Sequence, residues 1–337
     1  MKDIKKSLFF ISLIAGPIIC IFFSLLLGRY PLDATTVLTV ILNKLGIINS
    51  SSADMATSIV LNIRLPRALL GALVGGSLAI SGAAFQGVFR NPLVSSSILG
   101  VSPGAGFGAA LAILLFNNSF MIYVLAFGFG VLAVFLSYFI GRSYNTTPAV
   151  MLVLGGTIVS SVFSSLISLV KYLADPYDQL PKITFWLMGS LASASYKDIM
   201  IAGIPMLLGI TGLIAIRWRI NILSMGDKEA RALGVNLSLL KGILIFSATL
   251  ATAGAVCVSG VIGWIGLIIP HISRMIVGND NRLLIPTSLS IGACYLVIID
   301  NVSRTLTGSE IPLGILTAII GAPFFVYLLK RKVGGWT

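Results

Sequence analysis

The chain has 337 residues, of which 57% are apolar and 10% charged, and its formal net charge is +12. Its mean hydropathy of +1.01 excludes a water-soluble globular protein, because a core of this size cannot bury so much hydrocarbon. The bilayer is therefore the predicted solvent, and the composition indicates an all-α polytopic membrane protein.

Uncharged runs of sequence predict where the chain crosses the membrane, because each crossing needs about 17–25 mostly apolar residues in a helix. Two runs, 91–141 and 242–273, are too long for one crossing and are each split in two, the first near Asn117 and Asn118. The result is a single transmembrane domain, 1–337, with ten spans. They lie near 8–28, 66–89, 94–116, 119–141, 148–170, 199–216, 239–260, 264–277, 283–306 and 311–330.

The first span follows three lysines, a pattern that a secretory signal also shows. Its uncharged run, 7–28, is long enough to cross the membrane, and no small-x-small cleavage site ends it. We therefore predict an uncleaved first helix.

The positions of lysine and arginine predict the orientation, because cationic loops stay on the cytoplasmic side. Both ends of the chain are basic, so both are predicted to be cytoplasmic and the number of crossings to be even. With ten spans, the inner segments hold 15 Lys and Arg against 4 Asp and Glu, and the outer segments hold 8 against 7. This excess in short loops beside anionic lipid accounts for a pI near 9.8 without nucleic-acid binding.

Glycine spacing indicates close helix packing. Gly71 with Gly75, and Gly104 with Gly108, form small-x-x-x-small faces within predicted spans. The second pair lacks the G-x-G-x-x-G spacing of a dinucleotide site.

Catalysis and ion coupling are poorly supported. The sequence has no phosphate-binding G-x-x-x-x-G-K-[ST] loop, no H-E-x-x-H and a single histidine, so we predict neither an enzyme nor a bound cofactor or metal.

An ion-coupled carrier needs an ionisable group near the midplane. The best candidate, Asp300, lies near the outer end of the ninth span, four residues before Arg304, where the two can pair. A channel would need a polar stripe or charged ring, which the spans lack. Carrier and channel remain the alternatives.

The largest internal hydrophilic segment, 217–238, forms the predicted cytoplasmic loop between the sixth and seventh spans. Its centre, 225–233, predicts a short helix with Asp227 and Glu229 in the first turn and Gly234 at its end. A solvated connector is one interpretation. A compact charged helix that docks on a soluble partner is the other.

Six motifs occur in order along the chain: RLPR at 64–67, SGAAFQGVFRNPL at 81–93, ILGVSPGAG at 98–106, GDKEARALG at 226–234, GWIGLIIPHISR at 263–274 and GSEIPLGILTAIIGAPFF at 308–325. On these motifs the chain resembles, from about 61 to 330, the permease subunits of type II ATP-binding-cassette importers. The resemblance implies a BtuC-like fold of ten helices, two copies of which form the pathway. It also implies two separate ATPase subunits that bind ATP and Mg²⁺, a periplasmic or lipid-anchored binding protein, and the inner membrane of a bacterium or archaeon.

The resemblance also assigns roles to residues on the outer side. Arg64, Arg67 and Arg304 are expected to dock acidic residues of the binding protein, as unneutralised guanidinium groups suited to carboxylates. Anchoring of the second span at the membrane interface is the alternative for the first two.

On the inner side, the resemblance assigns the ATPase-coupling helix to Gly226, Asp227, Lys228, Glu229, Ala230, Arg231, Ala232, Leu233 and Gly234. Asn145, Thr146 and Thr147 are expected to form the cytoplasmic gate, with a helix cap before Pro148 as the alternative.

Three further residues lie near the inner ends of predicted spans. Gln86 and Asn91 are candidates to line the pathway, and Asn91 also fits a turn. For His271, a structural hydrogen bond is favoured over a role as a haem or metal ligand.

The cargo implied by the resemblance is a metal chelate of the iron-siderophore, haem or cobalamin type. Some members of that family carry molybdate or tungstate, and an uncharged pathway would accommodate either class.

Overall fold

A computed structural model describes residues 2–48, 54–116, 118–142 and 148–330, and the regular structure within these ranges is entirely helical. The first half contains α1 (Lys2–Leu26), α2 (Ala34–Lys44), α3 (Asp54–Ser58), a π-helical segment (Ile59–Arg64), α4 (Leu65–Phe89), α5 (Val101–Leu115), α6 (Ser119–Gly141) and α7 (Ala149–Leu173). The second half contains α8 (Gln179–Met188), α9 (Tyr196–Met225), α10 (Asp227–Ala232), α11 (Leu237–Ser259), α12 (Ile265–Val277), α13 (Asn281–Thr305) and α14 (Leu313–Lys330).

In the described part of the chain, seven helices are long and apolar enough to cross a membrane. They are Ser7–Leu26, Asp54–Phe89, Ser119–Gly141, Ala149–Leu173, Tyr196–Met225, Leu237–Ser259 and Asn281–Thr305. Three shorter apolar helices, Val101–Leu115, Ile265–Val277 and Leu313–Tyr327, coincide with the other predicted spans. The predicted all-α polytopic class is confirmed, and the number of crossings stays a prediction.

The third predicted span begins too early. Residues 94–100 form turns rather than helix, and α5 starts only at Val101, after Gly100 with a φ of +83°. The Asn91 side chain accepts a hydrogen bond from the Leu93 N–H at 2.9 Å, which closes a turn that hydropathy does not detect. At the other end, Asn118 caps α6 by accepting from the Phe120 N–H, as its predicted break requires, while Asn117 lies outside the described residues.

The helix that contains the sixth predicted span, 199–216, is longer than the span. Helix α9 continues to Met225 and takes nine residues of the predicted hydrophilic loop. Within this extension Ile220 and Leu223 are buried while Trp218 and Arg219 are exposed. The charged residues here therefore lie on one face of a helix rather than in a loop.

Three helices in the predicted outer loops escaped the hydropathy pattern because they are short. Helix α2 buries Val37 and Val40 against Val60 of the π-helical segment. Helix α8 buries Ile183 against Ile113 of α5, and α3 precedes the π-helical segment directly.

Helix α4 is the centre of the bundle. It is buried on nearly every face and packs on α13, α11, α9 and α12. A Cβ added to Gly75 would lie 2.2 Å from the Gly292 carbonyl oxygen, and one added to Gly108 would lie 2.1 Å from that of Leu125. The predicted glycine faces therefore do bring helix backbones together.

Candidate functional site

At the predicted outer side, Arg67 joins α4 to α13 and to the loop before α14. Its Nε donates to both carboxylate oxygens of Asp300, at 3.0 and 2.9 Å, and its Nη2 donates to Asp300 Oδ1 at 2.8 Å. Its Nη1 and Nη2 donate to the two oxygens of Glu310, each at 2.9 Å. These bonds hold the pKa of Glu310, which lies outside the helices, below its usual value. The expectation of an unneutralised arginine is wrong for Arg67, because two carboxylates lie across its guanidinium group.

Arg64 and Arg304 hold the outer end of α1. The Nη1 of Arg64 donates to the Leu25 carbonyl oxygen at 2.7 Å. The Nη2 of Arg304 donates to the carbonyl oxygen of Ser24 at 2.7 Å and to the Asn301 side chain. The Nε of Arg304 lies 3.9 Å from Asp300 Oδ2, so the expected pair is present but long.

All three arginines assigned to docking are buried in this structure: Arg64 is 3% exposed, Arg67 6% and Arg304 6%. They join α1, α4 and α13 rather than presenting their guanidinium groups at the surface. Their docking of a binding protein stays a prediction, and it requires these side chains to be uncovered when the partner binds.

At the predicted cytoplasmic side, the segment assigned to ATPase coupling contains the expected short helix, α10. Gly226 and Gly234 flank it with φ angles of +133° and +73°, values that a residue with a side chain rarely adopts. Asp227 Oδ2 lies 2.8 Å from Nζ of Lys241, which is 3% exposed, so the helix is tied to α11. Ala230 is buried as well, and most of the other residues of the segment are exposed.

The outward face of this segment combines charge with exposed hydrocarbon. Its exposed residues are Lys228, Glu229, Arg231, Ala232, Leu233 and Gly234, and Met225, which is also exposed, directly precedes it. Such a mixed, protruding face is suited to a groove on another protein, although its contact with an ATPase stays a prediction.

Two of the sequence motifs meet in a cavity of about 490 Å³ on the same side. Gln86 is buried there, and its Nε2 donates to the carbonyl oxygens of Val94 and Leu267, each at 3.2 Å. Its Oε1 accepts from Arg274 Nη2 at 3.0 Å. His271 also lines the cavity, and Asn91 lies at its edge within the turn described above. Gln86 thus joins α4 to α12, while pathway lining by Gln86 and Asn91 stays a prediction.

The loop next to this cavity is pinned by Asp280. Its Oδ1 accepts from the Arg282 N–H at 2.9 Å and from Asn221 Nδ2 at 2.7 Å. These hydrogen bonds lower the pKa of Asp280, which precedes α13, and connect the end of α9 to the start of α13.

The predicted gate residues Asn145, Thr146 and Thr147 lie outside the described residues. The helix that follows them, α7, carries a feature that hydropathy missed. One of its exposed faces bears five hydroxyl side chains: Thr157, Ser161, Ser164, Ser165 and Ser168. The helical spacing of these positions, read along the sequence, would have revealed the stripe.

The hydroxyl face of α7, defined as these five residues, lies directly beside an apolar exposed strip formed by Ile158, Val162 and Leu169. Four of its five hydroxyls donate to carbonyl oxygens one turn earlier, as in Thr157 to Val153 at 2.9 Å and Ser161 to Thr157 at 3.0 Å. The face is therefore weakly polar without charge. For metals, no cluster of three His, Cys, Asp or Glu side chains occurs in the part of the chain that the structure describes.

Residues 16–331 match the FecCD transport family. The chain is 42% identical over 313 residues to the molybdate import system permease protein MolB of Haemophilus influenzae, which covers 91% of this chain and 92% of that protein. It is 40% identical over 280 residues to the cobalamin import system permease protein BtuC of Halobacterium salinarum, covering 83% of this chain and 75% of that one. A solved structure described as a metal-chelate type ABC transporter, inward-facing, superposes with a TM-score of 0.85 at 38% identity, over 95% of this chain and 98% of that one.

Proposed function

The chain belongs to the FecCD transport family as the membrane-spanning permease of an ATP-binding-cassette importer, and from this premise we propose that its cargo is a metal chelate of the iron-siderophore, haem or cobalamin type. In this proposal a binding protein delivers the chelate at the outer face of a bacterial or archaeal inner membrane. Two ATPase subunits, which bind ATP and Mg²⁺, drive transport through a pathway completed by a second copy of this chain. The permease itself binds no cofactor.

The hydroxyl face of α7 is the observation that supports the pathway in this proposal, while the choice of a chelate as cargo is supported by the similarity to a cobalamin permease and to a metal-chelate type transporter. Hydroxyls exposed in the middle of an apolar span are poorly matched to lipid, and these are also outside the packed core. A face of this kind suits a pathway, because weak, uncharged contacts allow a bulky ligand to pass without being held. This face is exposed in a single chain, so we place a second copy of the chain opposite it to enclose the pathway.

Cysteine accessibility would test the pathway assignment. In a background with Cys20, Cys257 and Cys294 changed to alanine, Ser161→Cys and Ser165→Cys should react at least about tenfold faster with a charged, membrane-impermeant thiol reagent than Val162→Cys. The reason is that reaction requires water and a thiolate, and apolar surroundings disfavour both. Equal rates on the two faces in the dimer reconstituted in liposomes would contradict a water-filled pathway along α7.

The cargo is tested by stimulation of ATP hydrolysis in liposomes that contain the permease, the neighbouring ATPase and the cognate binding protein. A ferric chelate, haem or cobalamin should stimulate hydrolysis, and molybdate should not. A second candidate is an oxyanion, favoured by the identity with MolB over 91% of this chain. Stimulation by molybdate alone would establish that alternative, and ligand flux without any ATPase would return the carrier and channel hypotheses.

Coupling through α10 gives a further prediction. Asp227→Asn should remove the ion pair with Lys241 and loosen α10, and so reduce import at least about fivefold, as the loss of about 1 kcal/mol would. ATP hydrolysis should continue, because the ATPase sites are on other chains. The measurement is the ratio of ligand imported to ATP hydrolysed in liposomes.

Asp178→Asn is the matched control, because it removes an exposed i,i+4 ion pair with Lys182 on the predicted outer side. It should leave the ratio unchanged. An unchanged ratio in Asp227→Asn as well would show that the link between α10 and α11 does not transmit the ATPase movement.

A further inference from the structure

Among the residues that the structure describes, the cavity on the predicted cytoplasmic side is lined by two arginines and by no carboxylate. It has a volume of about 490 Å³, within the usual range of small-ligand sites, and lies between the ends of α4 and α12 and the start of α13. Arg90 and Arg274 line it together with amide side chains, among them Asn279, and no Asp or Glu is part of the lining. Its walls therefore offer hydrogen-bond donors and positive charge.

Arg274 is held in place by Gln86 and retains an unpaired hydrogen-bond donor. Its Nη2 donates to Gln86 Oε1 at 3.0 Å, while its Nη1 is buried and has no hydrogen-bond partner among the described residues. A buried donor without an acceptor is costly, and because this nitrogen is itself buried, a ligand in the cavity reaches it only after the Arg274 side chain shifts. The acceptor of the Nη2 bond is a neutral amide oxygen, and Arg274 forms no ion pair with any described residue.

Arg90 occupies a backbone position that favours glycine. It ends α4 with a φ of +48°, in the left-handed region, where glycine is the usual residue. Its side chain is exposed and makes neither a hydrogen bond nor an ion pair with any residue in the described ranges. Sparsely populated backbone conformations concentrate at functional sites, and here the residue kept in one is an unpaired cation in a cavity.

The acidic residues nearby do not neutralise these arginines. Asp280 is engaged by Asn221 and the Arg282 N–H, and Asp227 is paired with Lys241. Glu229 lies near Arg90, because a Cβ added to Gly226 would be 2.2 Å from Glu229 Oε2 and 3.3 Å from Arg90 Nη1, but the two side chains form no ion pair. The guanidinium groups of the cavity therefore keep hydrogen-bond donors for a ligand.

We propose that this cavity binds a tetrahedral oxyanion, such as phosphate or molybdate, between Arg90 and Arg274. Guanidinium groups bind oxyanions through paired, charge-assisted hydrogen bonds, and two guanidinium groups line this cavity. The phosphate of a lipid headgroup has the same chemistry and could reach a cavity at the membrane boundary. The site is independent of which cargo crosses the membrane. Because Arg90 adjoins Gly226, an occupied site connects α4 and α12 with the beginning of the coupling segment.

Equilibrium dialysis of the full-length chain in detergent against radiolabelled phosphate and molybdate tests the free-anion form. Binding is expected in the unaltered protein and should weaken at least about tenfold in Arg90→Gly and in Arg274→Gln, the loss of a charge-assisted bond. Glycine suits the positive φ at position 90, so a loss of binding in Arg90→Gly cannot be ascribed to a strained backbone. Arg282→Gln removes the same charge near the cavity without lining it, and its affinity should stay within about twofold.

Native mass spectrometry of the same variants, with phosphatidylglycerol added, distinguishes the two sources of the oxyanion. Lipid retained by the unaltered protein and lost in both cavity variants, without binding of free anions, would assign the site to a headgroup. Binding of free phosphate or molybdate that depends on both arginines would assign it to a soluble oxyanion. No binding in either experiment, or binding that both cavity variants retain, overturns the proposal.

Discussion

Replacing Arg67 with leucine is expected to lower the free energy of unfolding by about 3–5 kcal/mol, because it leaves a buried carboxylate without its partner. The side chain of Asp300 is 3% exposed, and three of its hydrogen bonds come from Arg67. Glu310 is 30% exposed at its side chain and can turn to water, so Asp300 carries most of the penalty. Unfolding of the detergent-solubilised chain by sodium dodecyl sulfate measures the change.

Two companion variants make this result specific. Arg67→Leu combined with Asp300→Leu should recover most of the loss, because a buried ion pair can be replaced by apolar side chains at little cost. Lys197→Gln removes an exposed cation near the start of α9, on the predicted outer side and away from this cluster, and should change stability by no more than about 0.5 kcal/mol. A small effect of Arg67→Leu alone would show that water reaches Asp300, and would favour a surface role for this cluster in docking.

Gly82→Ala is expected to destabilise the protein by about 1–3 kcal/mol or more, through overpacking between α4 and α12. The added Cβ would lie 1.9 Å from the Gly266 carbonyl oxygen and 2.6 Å from the Gly266 Cα. These are backbone atoms, so no side chain can rotate away and the two helices must separate. Thermal unfolding in detergent measures the loss.

Gly128→Ala is the matched control, because it lies within α6 and an added Cβ meets nothing within 4 Å. It should stabilise the protein by about 0.5–1 kcal/mol, since alanine favours helix over glycine. The two substitutions are chemically identical, and their expected effects have opposite signs. If both variants lose stability, the close approach of the two backbones at Gly82 would not be the reason for the loss in Gly82→Ala.

The sequence alone determined the features that depend on composition and local spacing. An apolar run predicts a spanning helix because the backbone must satisfy its own hydrogen bonds in lipid, and the bundle of long helices bears this out. The short helix in the segment 226–234 followed from its acidic first turn and its terminal glycine. The order of the six motifs identified the importer family before any contact was known.

Only the tertiary structure decided how distant residues combine. Arg67 and Asp300 are 233 positions apart, so nothing local to either residue could show that the arginine assigned to docking is buried against a carboxylate. The same holds for Gln86 with Arg274, and for the two arginines that share one cavity. Local sequence sets hydrogen bonding within a helix and its preference for lipid, but charge pairing depends on which helix faces come together. That choice is made by close packing across the whole bundle.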